Sequence, residues 1–202
     1  MDIFSTIAII SCFASPIFFF SAVGFVYLYV KNRLQAGKEK KKLEARIATI
    51  SRTGLNAVRE SWFTEIQNAT YASELEVEIK YIYPMMRFLG YGLQDLRMRV
   101  EAIVRVGRAD VKGIADWVVY TDSHPMIVIE AKAIQQGLDA NVQEQARSYC
   151  FALNVPMYLL TNGREVKLYQ RGVGFDELVF HATTSELPVK WGELYDLIGV
   201  ST

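Results

Sequence analysis

The sequence predicts an α/β fold with a mixed central sheet flanked by helices, preceded by one transmembrane helix and a helical stem. Three observations support it: an uncharged apolar N-terminus, a basic segment with helical spacing, and a C-terminal region that alternates helical and β-branched runs. We therefore divide the 202 residues into an anchor (1–31), a basic juxtamembrane helical stem (32–70) and an α/β domain (71–202).

The N-terminal segment has the length and polarity of a membrane span. Residues 3–30 contain no charged side chain, and this run exceeds the roughly 20 apolar residues that cross a bilayer core. A cleaved signal peptide is the alternative, but its basic residues would precede a shorter apolar run, whereas here they follow it. We therefore expect a single-pass protein of the cell inner membrane or plasma membrane, with its N-terminus outside and its body cytoplasmic.

Positive charge is concentrated directly after the expected anchor. Residues 31–46 hold seven basic and two acidic side chains, whereas residues 47–202 hold 15 basic and 19 acidic ones. Within the stem, Val58, Trp62 and Ile66 keep a helical spacing. The mildly acidic body argues against tight non-specific binding to nucleic acid by charge alone. The two cysteines are far apart in sequence, which argues against a disulfide framework or a zinc site.

The first helix of the α/β domain is predicted between Ser73 and Gly90. Ser73 and Glu76 have the spacing of a capping box, Gly90 is a typical helix terminator, and Pro84 predicts a bend. One apolar stripe predicts the face that packs into the core, and its members are Leu75, Ile79, Ile82, Met86 and Leu89.

The later elements follow in the order of a mixed sheet. Alternating or β-branched runs predict strands at 96–104, 114–121 and 126–133, of which the last two form a hairpin. A helix is predicted over 139–153, strands over 156–163, 165–172 and 177–185, and a closing helix over 191–199. The core order is therefore αβββαβ.

The strand MIVIEAK ends with two charged side chains on one face. Side chains alternate along a strand, so Glu130 and Lys132 point the same way. If Tyr120 lies opposite Met126 in the hairpin, Asp116 lies opposite Glu130. Two opposed carboxylates repel each other unless a cation lies between them. This pattern predicts a metal site, although a surface salt bridge on a half-exposed sheet is the simpler alternative.

The donor atoms at this site indicate which metal and which reaction to expect. Carboxylate oxygens favour a hard cation, so we expect Mg²⁺, with Mn²⁺ as a substitute, and no zinc. A metal-bound water beside a lysine is a hydrolytic arrangement, for which phosphodiester cleavage is the natural reaction. No phosphate-binding loop of the Gly-X-X-X-X-Gly-Lys-Ser/Thr type is present, so no ATP is expected.

An aspartate followed by Glu-X-Lys on the next strand resembles the signature of the PD-(D/E)XK nucleases. Within them, the chain is similar to the N-terminal nuclease domain of type I restriction enzyme R subunits. The matching segments occur in order between Ser73 and Tyr169: SELEVEIKYIYPMMRFLGY, GRADVKGIADWVVY, PMIVIEAK, QEQARSY and YLLTNGREVKLY. The resemblance implies that residues 71–202 have a restriction-endonuclease-like fold.

The resemblance also implies roles for residues of the core strands and the first helix. Asp116 and Glu130, with the backbone carbonyl of Ala131, would hold Mg²⁺, and Lys132 would position the attacking water. Glu74 would assist from the first helix, and Glu78, one turn further on, is a less secure candidate for this role.

A second set of residues would lie toward the nucleic acid. The Gln-X-X-X-Tyr element gives Gln145 a role near the site and the DNA, although an exposed helix glutamine is the alternative. Tyr149 and Arg147 on the same helix are weaker candidates for nucleic-acid contacts, since such a tyrosine is also typical of a core and a lone arginine is usually solvated.

The function implied is a membrane-anchored, Mg²⁺-dependent DNA endonuclease in restriction or in defence against foreign DNA such as phage. Its expected partners are DNA, the cytoplasmic membrane through residues 3–30, and a protein that supplies specificity. One alternative is a non-catalytic membrane-bound adaptor that binds nucleic acid or protein. Another is a nuclease that cleaves RNA.

Overall fold

The computed structural model describes residues 38, 41–42, 54–107 and 109–200. Leu55–Thr202 form one compact unit. The expected anchor and much of the expected stem lie outside the described residues. Within the described part of the chain, no helix combines the length and apolarity needed to span a bilayer.

The centre of the unit is a six-stranded sheet whose strands neighbour one another in chain order. They are β1 (Leu96–Val106), β2 (Ala109–Thr121), β3 (His124–Ala131), β4 (Met157–Thr161), β5 (Glu165–Gln170) and β6 (Glu177–Thr183). All neighbours are antiparallel except β3 and β4. This parallel pair needs a crossover, which the helix Ala140–Leu153 supplies. The predicted αβββαβ order and mixed sheet are confirmed.

α-Helices of the compact unit cover both faces of the sheet, and each face has its own core. Numbered along the chain, they are α1 (54–67), α2 (74–88), α3 (Ala140–Leu153) and α4 (Leu187–Ile198). On one face α1, α2 and α4 pack together, and the larger core there includes Trp62, Tyr81 and Trp191. On the other face α3 packs over Val118, Val128 and Leu160.

Helix α1 is part of the compact unit, although its residues fall within the predicted stem (32–70). Trp62, Phe63 and Ile66 are buried in the larger core. Val58, which shares their helical spacing, stays 60% exposed. The expected domain boundary at residue 71 stays a prediction, whereas the compact packing begins at Leu55.

Helix α2 changes its winding in the middle. Glu74–Val77 and Tyr83–Phe88 are α-helical, and Glu78–Ile82 between them form a π-helical turn. Pro84 has no N–H to give to the Lys80 carbonyl one turn earlier. The Trp62 indole N–H of α1 donates to that carbonyl at 3.1 Å. The backbone acceptor that the proline leaves free therefore joins α1 to α2.

The predicted apolar stripe of α2 is correct only from Ile82, the last residue of the π turn. Ile82, Met86 and Leu89 are fully buried, but Leu75 and Ile79 are 51% and 54% exposed. A π turn takes more residues per turn than an α turn, so the buried face moves along the sequence by one position. Before Ile82 the buried positions are instead Val77, just ahead of the turn, and Glu78 and Tyr81 within it.

The predicted register of the β2–β3 hairpin is wrong near the turn and correct beyond it. Tyr120 lies opposite Pro125, not Met126. The loop has only two residues, Asp122 and Ser123, both with positive φ as a type I′ turn requires. A register shift between Val119 and Tyr120 then leaves Met126 as an extra residue on β3. From Val119↔Ile127 to Trp117↔Ile129 the pairing is the one predicted, and the ladder ends before the expected pair Asp116↔Glu130.

Candidate active site

The site lies where β2 separates from β3. The last pair of their ladder is Trp117↔Ile129, one position before Asp116 and Glu130. At that point the Asp116 Oδ2 atom accepts a hydrogen bond from the Ala131 backbone N–H at 2.9 Å. The aspartate side chain therefore takes the place of a backbone partner and is fixed directly beside the Glu-X-Lys segment.

Glu130 and Lys132 form a buried ion pair beside Asp116. Lys132 Nζ donates to Glu130 Oε1 at 2.6 Å, and the two side chains are 11% and 2% exposed. The Lys132 backbone N–H donates to the Thr161 carbonyl of β4 at 2.9 Å, which holds the segment in place just beyond the end of β3. The second oxygen, Glu130 Oε2, is buried and has no hydrogen-bond partner among the described residues.

A second cation, Arg99 of β1, enters the site from the other side. Its guanidinium donates to Asp116 Oδ1 and, at 2.7 Å, to Glu78 Oε1 of α2. The other Glu78 oxygen accepts from the Trp117 indole N–H at 2.9 Å. Glu78 is fully buried, so Arg99 and Trp117 together compensate for the burial of its charge.

The backbone of β1 is irregular at Arg99. Its φ of 53° lies in the left-handed region, which costs a non-glycine residue about 1–2 kcal/mol. On the partner strand, Ala115 and Val118 both pack in the α3 core, whereas strict alternation would place residues three apart on opposite faces. The pleat is therefore interrupted at this position, where Asp116 leaves the regular ladder.

Burial raises the pKa of two carboxylates of the site, those of Glu130 and Glu78. Burial first, and then the negative charges of Asp116 and Glu74, raise the pKa of Glu130 to about 7, against the opposing effect of Lys132. Burial also raises the pKa of Glu78, although Arg99 opposes it. Burial lowers the pKa of Lys132, but its hydrogen bond and attraction to Glu130 outweigh this and leave that pKa raised.

These pKa shifts predict how the stability of the metal-free protein depends on pH. Glu130 binds its proton more tightly when folded, so the free energy of unfolding falls as pH rises from about 4.5 to about 7. The expected fall is on the order of 3 kcal/mol. Urea unfolding in EDTA between pH 4.5 and 8 measures it. The Glu130→Gln variant should lose much of this slope, and a slope equal to that of the wild type would contradict the assignment.

Glu74 and Gln145, the two other residues predicted to assist the site, lie on α2 and α3. Glu74 is exposed at the start of α2, and its charge helps raise the pKa of Glu130 and Lys132. Gln145 donates to the Tyr149 hydroxyl at 3.3 Å.

Tyr149 is buried and its ring lies against Gly113 of β2, where a Cβ atom would come within 2.5 Å of the ring. Arg147 points toward Asp176, with its Nε atom 3.1 Å from the carboxylate. The side chain of Tyr149 therefore packs on the sheet, and that of Arg147 forms an ion pair on the α3 side of the unit.

Two residues with a large part in the geometry were underrated or missed in the sequence. Glu78, the less secure choice on α2, is the buried carboxylate linked to Asp116, whereas Glu74 stays exposed. Arg99 was not singled out, because a left-handed residue inside a strand has no pattern in the sequence. The one feature of the sequence that could have indicated it was an arginine in the predicted strand just before the strand that carries Asp116.

The donor set fits a hard divalent cation. Among the described residues, no three His, Cys, Asp or Glu side chains meet as ligands of one metal. Mg²⁺ needs fewer, because it keeps several waters and is usually bound through one or two carboxylates. The buried, unpartnered Glu130 Oε2 atom is the kind of acceptor that such an ion would satisfy.

One family of known proteins matches the part of the chain that holds the sheet. Residues 73–183 match the family described as type I restriction enzyme R protein N terminus. No curated protein matches the chain.

Two solved structures resemble it. One is a fragment of an HsdR subunit of a type I restriction enzyme from Vibrio vulnificus YJ016, with 21% identity, a TM-score of 0.44, and coverage of 62% of this chain and 26% of that one. The other is the type IIG restriction endonuclease BpuSI, with 17% identity, a TM-score of 0.36, and coverage of 64% and 17%. The chain thus spans about a quarter of the first structure and about a sixth of the second.

Proposed function

This chain belongs to the family of type I restriction enzyme R protein N termini, and we propose that it is a Mg²⁺-dependent DNA endonuclease held at the cytoplasmic membrane. Hydrolysis of phosphodiester bonds in foreign DNA, such as phage DNA, is its proposed role. The proposal rests above all on one observation: Asp116, Glu130 and Lys132 converge where β2 leaves β3, and one buried Glu130 oxygen has no partner among the described residues.

Asp116, Glu130 and the Ala131 carbonyl would hold the metal ion. When bound, Mg²⁺ lowers the pKa of water and offsets the negative charge that develops on the phosphate. Asp116 is fixed for this task by the Ala131 N–H on one oxygen and by Arg99 on the other. Glu130 has Oε2 free to act as a ligand while Lys132 holds Oε1.

Lys132 would position the attacking water and stabilise negative charge. Its ammonium has three N–H donors, of which one is used on Glu130 within the described part of the chain. Its raised pKa keeps it charged at neutral pH, so it acts by orientation and electrostatics rather than as a base. Glu74, exposed beside the pair, would support the water shell, and Gln145 would face the base or the DNA backbone.

Cleavage of supercoiled plasmid by the purified full chain tests this proposal. We expect nicking with Mg²⁺ or Mn²⁺, none with EDTA, and a loss of at least 100-fold in the Glu130→Gln variant, which keeps the shape but loses the charge. The same assay on RNA of matching sequence distinguishes the two nucleic acids. Equal nicking by wild type and variant would refute the assigned chemistry, and no nicking at all would favour the non-catalytic adaptor.

Attachment to the membrane is a separate part of the proposal, supported by the uncharged run at residues 3–30 and the seven basic residues that follow within 31–46. A cytoplasm-dependent reporter fused to the C-terminus should give signal, and the protein should remain with membranes after a salt wash. Release of the body into the secreted fraction would overturn this part and favour a signal peptide.

A further inference from the structure

We infer that Arg99 is a built-in cation that limits the site to one divalent metal ion. The inference rests on the proposed metal-dependent function. Arg99 joins Asp116 to Glu78 in the way that a second, bridging metal ion would join two carboxylates. It is thus a positioning residue for Asp116 and a substitute for a second ion.

The contacts of Arg99 are those of a bridging cation. One terminal nitrogen meets Asp116 and the other meets Glu78 at 2.7 Å. Glu78 is fully buried on the π turn of α2, so it needs a fixed positive partner. A guanidinium is charged at every working pH and its planar fork suits two acceptors, so this cation is permanent.

The balance of charge supports a single ion. Four carboxylates, those of Glu74, Glu78, Asp116 and Glu130, act electrostatically on the centre, Glu74 from an exposed position, and two cations, Arg99 and Lys132, oppose them. When all four carboxylates are ionised, the excess of two negative charges is the amount that one divalent ion neutralises. Without Arg99 the excess is three, and Glu78 and Asp116 would share an unoccupied place for a cation.

The remaining acceptor capacity is on the Glu130 side of Asp116. Glu130 Oε2 is the buried oxygen without a partner among the described residues, whereas both Glu78 oxygens are already bonded. This asymmetry assigns the metal ion to the Glu130 side and the guanidinium to the Glu78 side.

Metal stoichiometry tests the inference without depending on activity. The full chain is titrated with Mg²⁺ by calorimetry and with Mn²⁺ by electron paramagnetic resonance, with circular dichroism to verify folding. We expect one ion per chain for the wild type and for Arg99→Lys, and two for Arg99→Gln. The double variant Arg99→Gln with Glu78→Gln should return to one. Arg97→Gln is the matched control, since Arg97 lies over the Tyr120 ring at 4.1 Å, and it should bind one ion.

The outcomes separate this inference from the proposed function. Two ions in the wild type, or one ion in a folded Arg99→Gln variant, would refute the role of Arg99 and leave the metal-dependent nuclease intact. Binding of no ion to the wild type would overturn both. If Arg99→Gln does not fold, the wild-type stoichiometry and the first-order or second-order dependence of cleavage on Mg²⁺ still decide between one ion and two.

Discussion

Replacing Lys132 with Met should reduce DNA cleavage by about 10²–10³-fold while the protein still binds metal. Lys132 is the cation that contacts Glu130, but it is not a proposed metal ligand. Its removal takes away the group that orients water and leaves the ligand oxygens in place. Single-turnover cleavage at saturating Mg²⁺ and pH 8 measures the first effect, and calorimetric titration with Mg²⁺ measures the second. At pH 8 Glu130, whose pKa is about 7, is mostly ionised in the wild type.

Lys112→Met is the matched control for this experiment. Lys112 lies on β2, the strand that carries Asp116, but it is 69% exposed and pairs with Glu101 on β1. Its loss should change the cleavage rate less than twofold, because an exposed ion pair contributes little. If both methionine variants lost activity equally, the loss of a positive charge anywhere on the unit, and not the position of Lys132, would explain the effect. If Lys132→Met stopped binding Mg²⁺, the division of labour between Lys132 and Glu130 would be wrong.

Replacing Trp62 with Ala should lower the free energy of unfolding by about 3–5 kcal/mol. Trp62 is 5% exposed and its ring lies against Phe63, Tyr81, Phe88 and Trp191. Its loss opens a large cavity in the core beneath α2 and also leaves the Lys80 carbonyl without its donor. Urea unfolding monitored by circular dichroism measures the change.

Two further variants divide this effect into its parts. Trp62→Phe keeps most of the ring but removes the indole N–H, so about 1–3 kcal/mol should be lost through the unsatisfied carbonyl. Val58→Ala lies on the same helix at a 60% exposed position and should change stability by no more than about 0.5 kcal/mol. A Trp62→Ala protein as stable as the Val58→Ala protein would show that α1 does not contribute to the core.

Most of the sheet was predictable because each strand has a clear alternation or a continuous apolar run. MIVIEAK is the best case: Ile127, Ile129 and Ala131 face the larger core, and Val128 faces the α3 core, as alternation requires. The position of Asp116 beside the Glu-X-Lys segment also followed, since hairpin pairing up to Trp117↔Ile129 brings the two strands together there. The register at Tyr120 did not, because a two-residue turn and a bulge offset one another within a few positions.

The site was only partly predictable, because two of its features depend on backbone irregularities. Arg99 reaches Asp116 from a left-handed backbone position inside a strand. Arginine has no preference for that conformation, so the residue type gives no sign of it. Glu78 is buried because the helix winds more loosely there, whereas a regular helix placed Leu75 and Ile79 on the buried stripe. A period of 3.6 residues is thus a sound guide only where the helix keeps it.

The π turn of α2 has a consequence for how relatives of this chain are aligned. A looser turn acts as a one-residue insertion that is hidden inside a helix and leaves no gap at a loop. Consider a relative whose α-helix is uninterrupted. The residue of that relative that faces its site would then be aligned, without a gap, to a neighbour of Glu78 and not to Glu78 itself. Alignments that seek the carboxylate equivalent to Glu78 should therefore allow a one-residue shift before Ile82. Without it, the role of Glu78 would be assigned to an exposed neighbour.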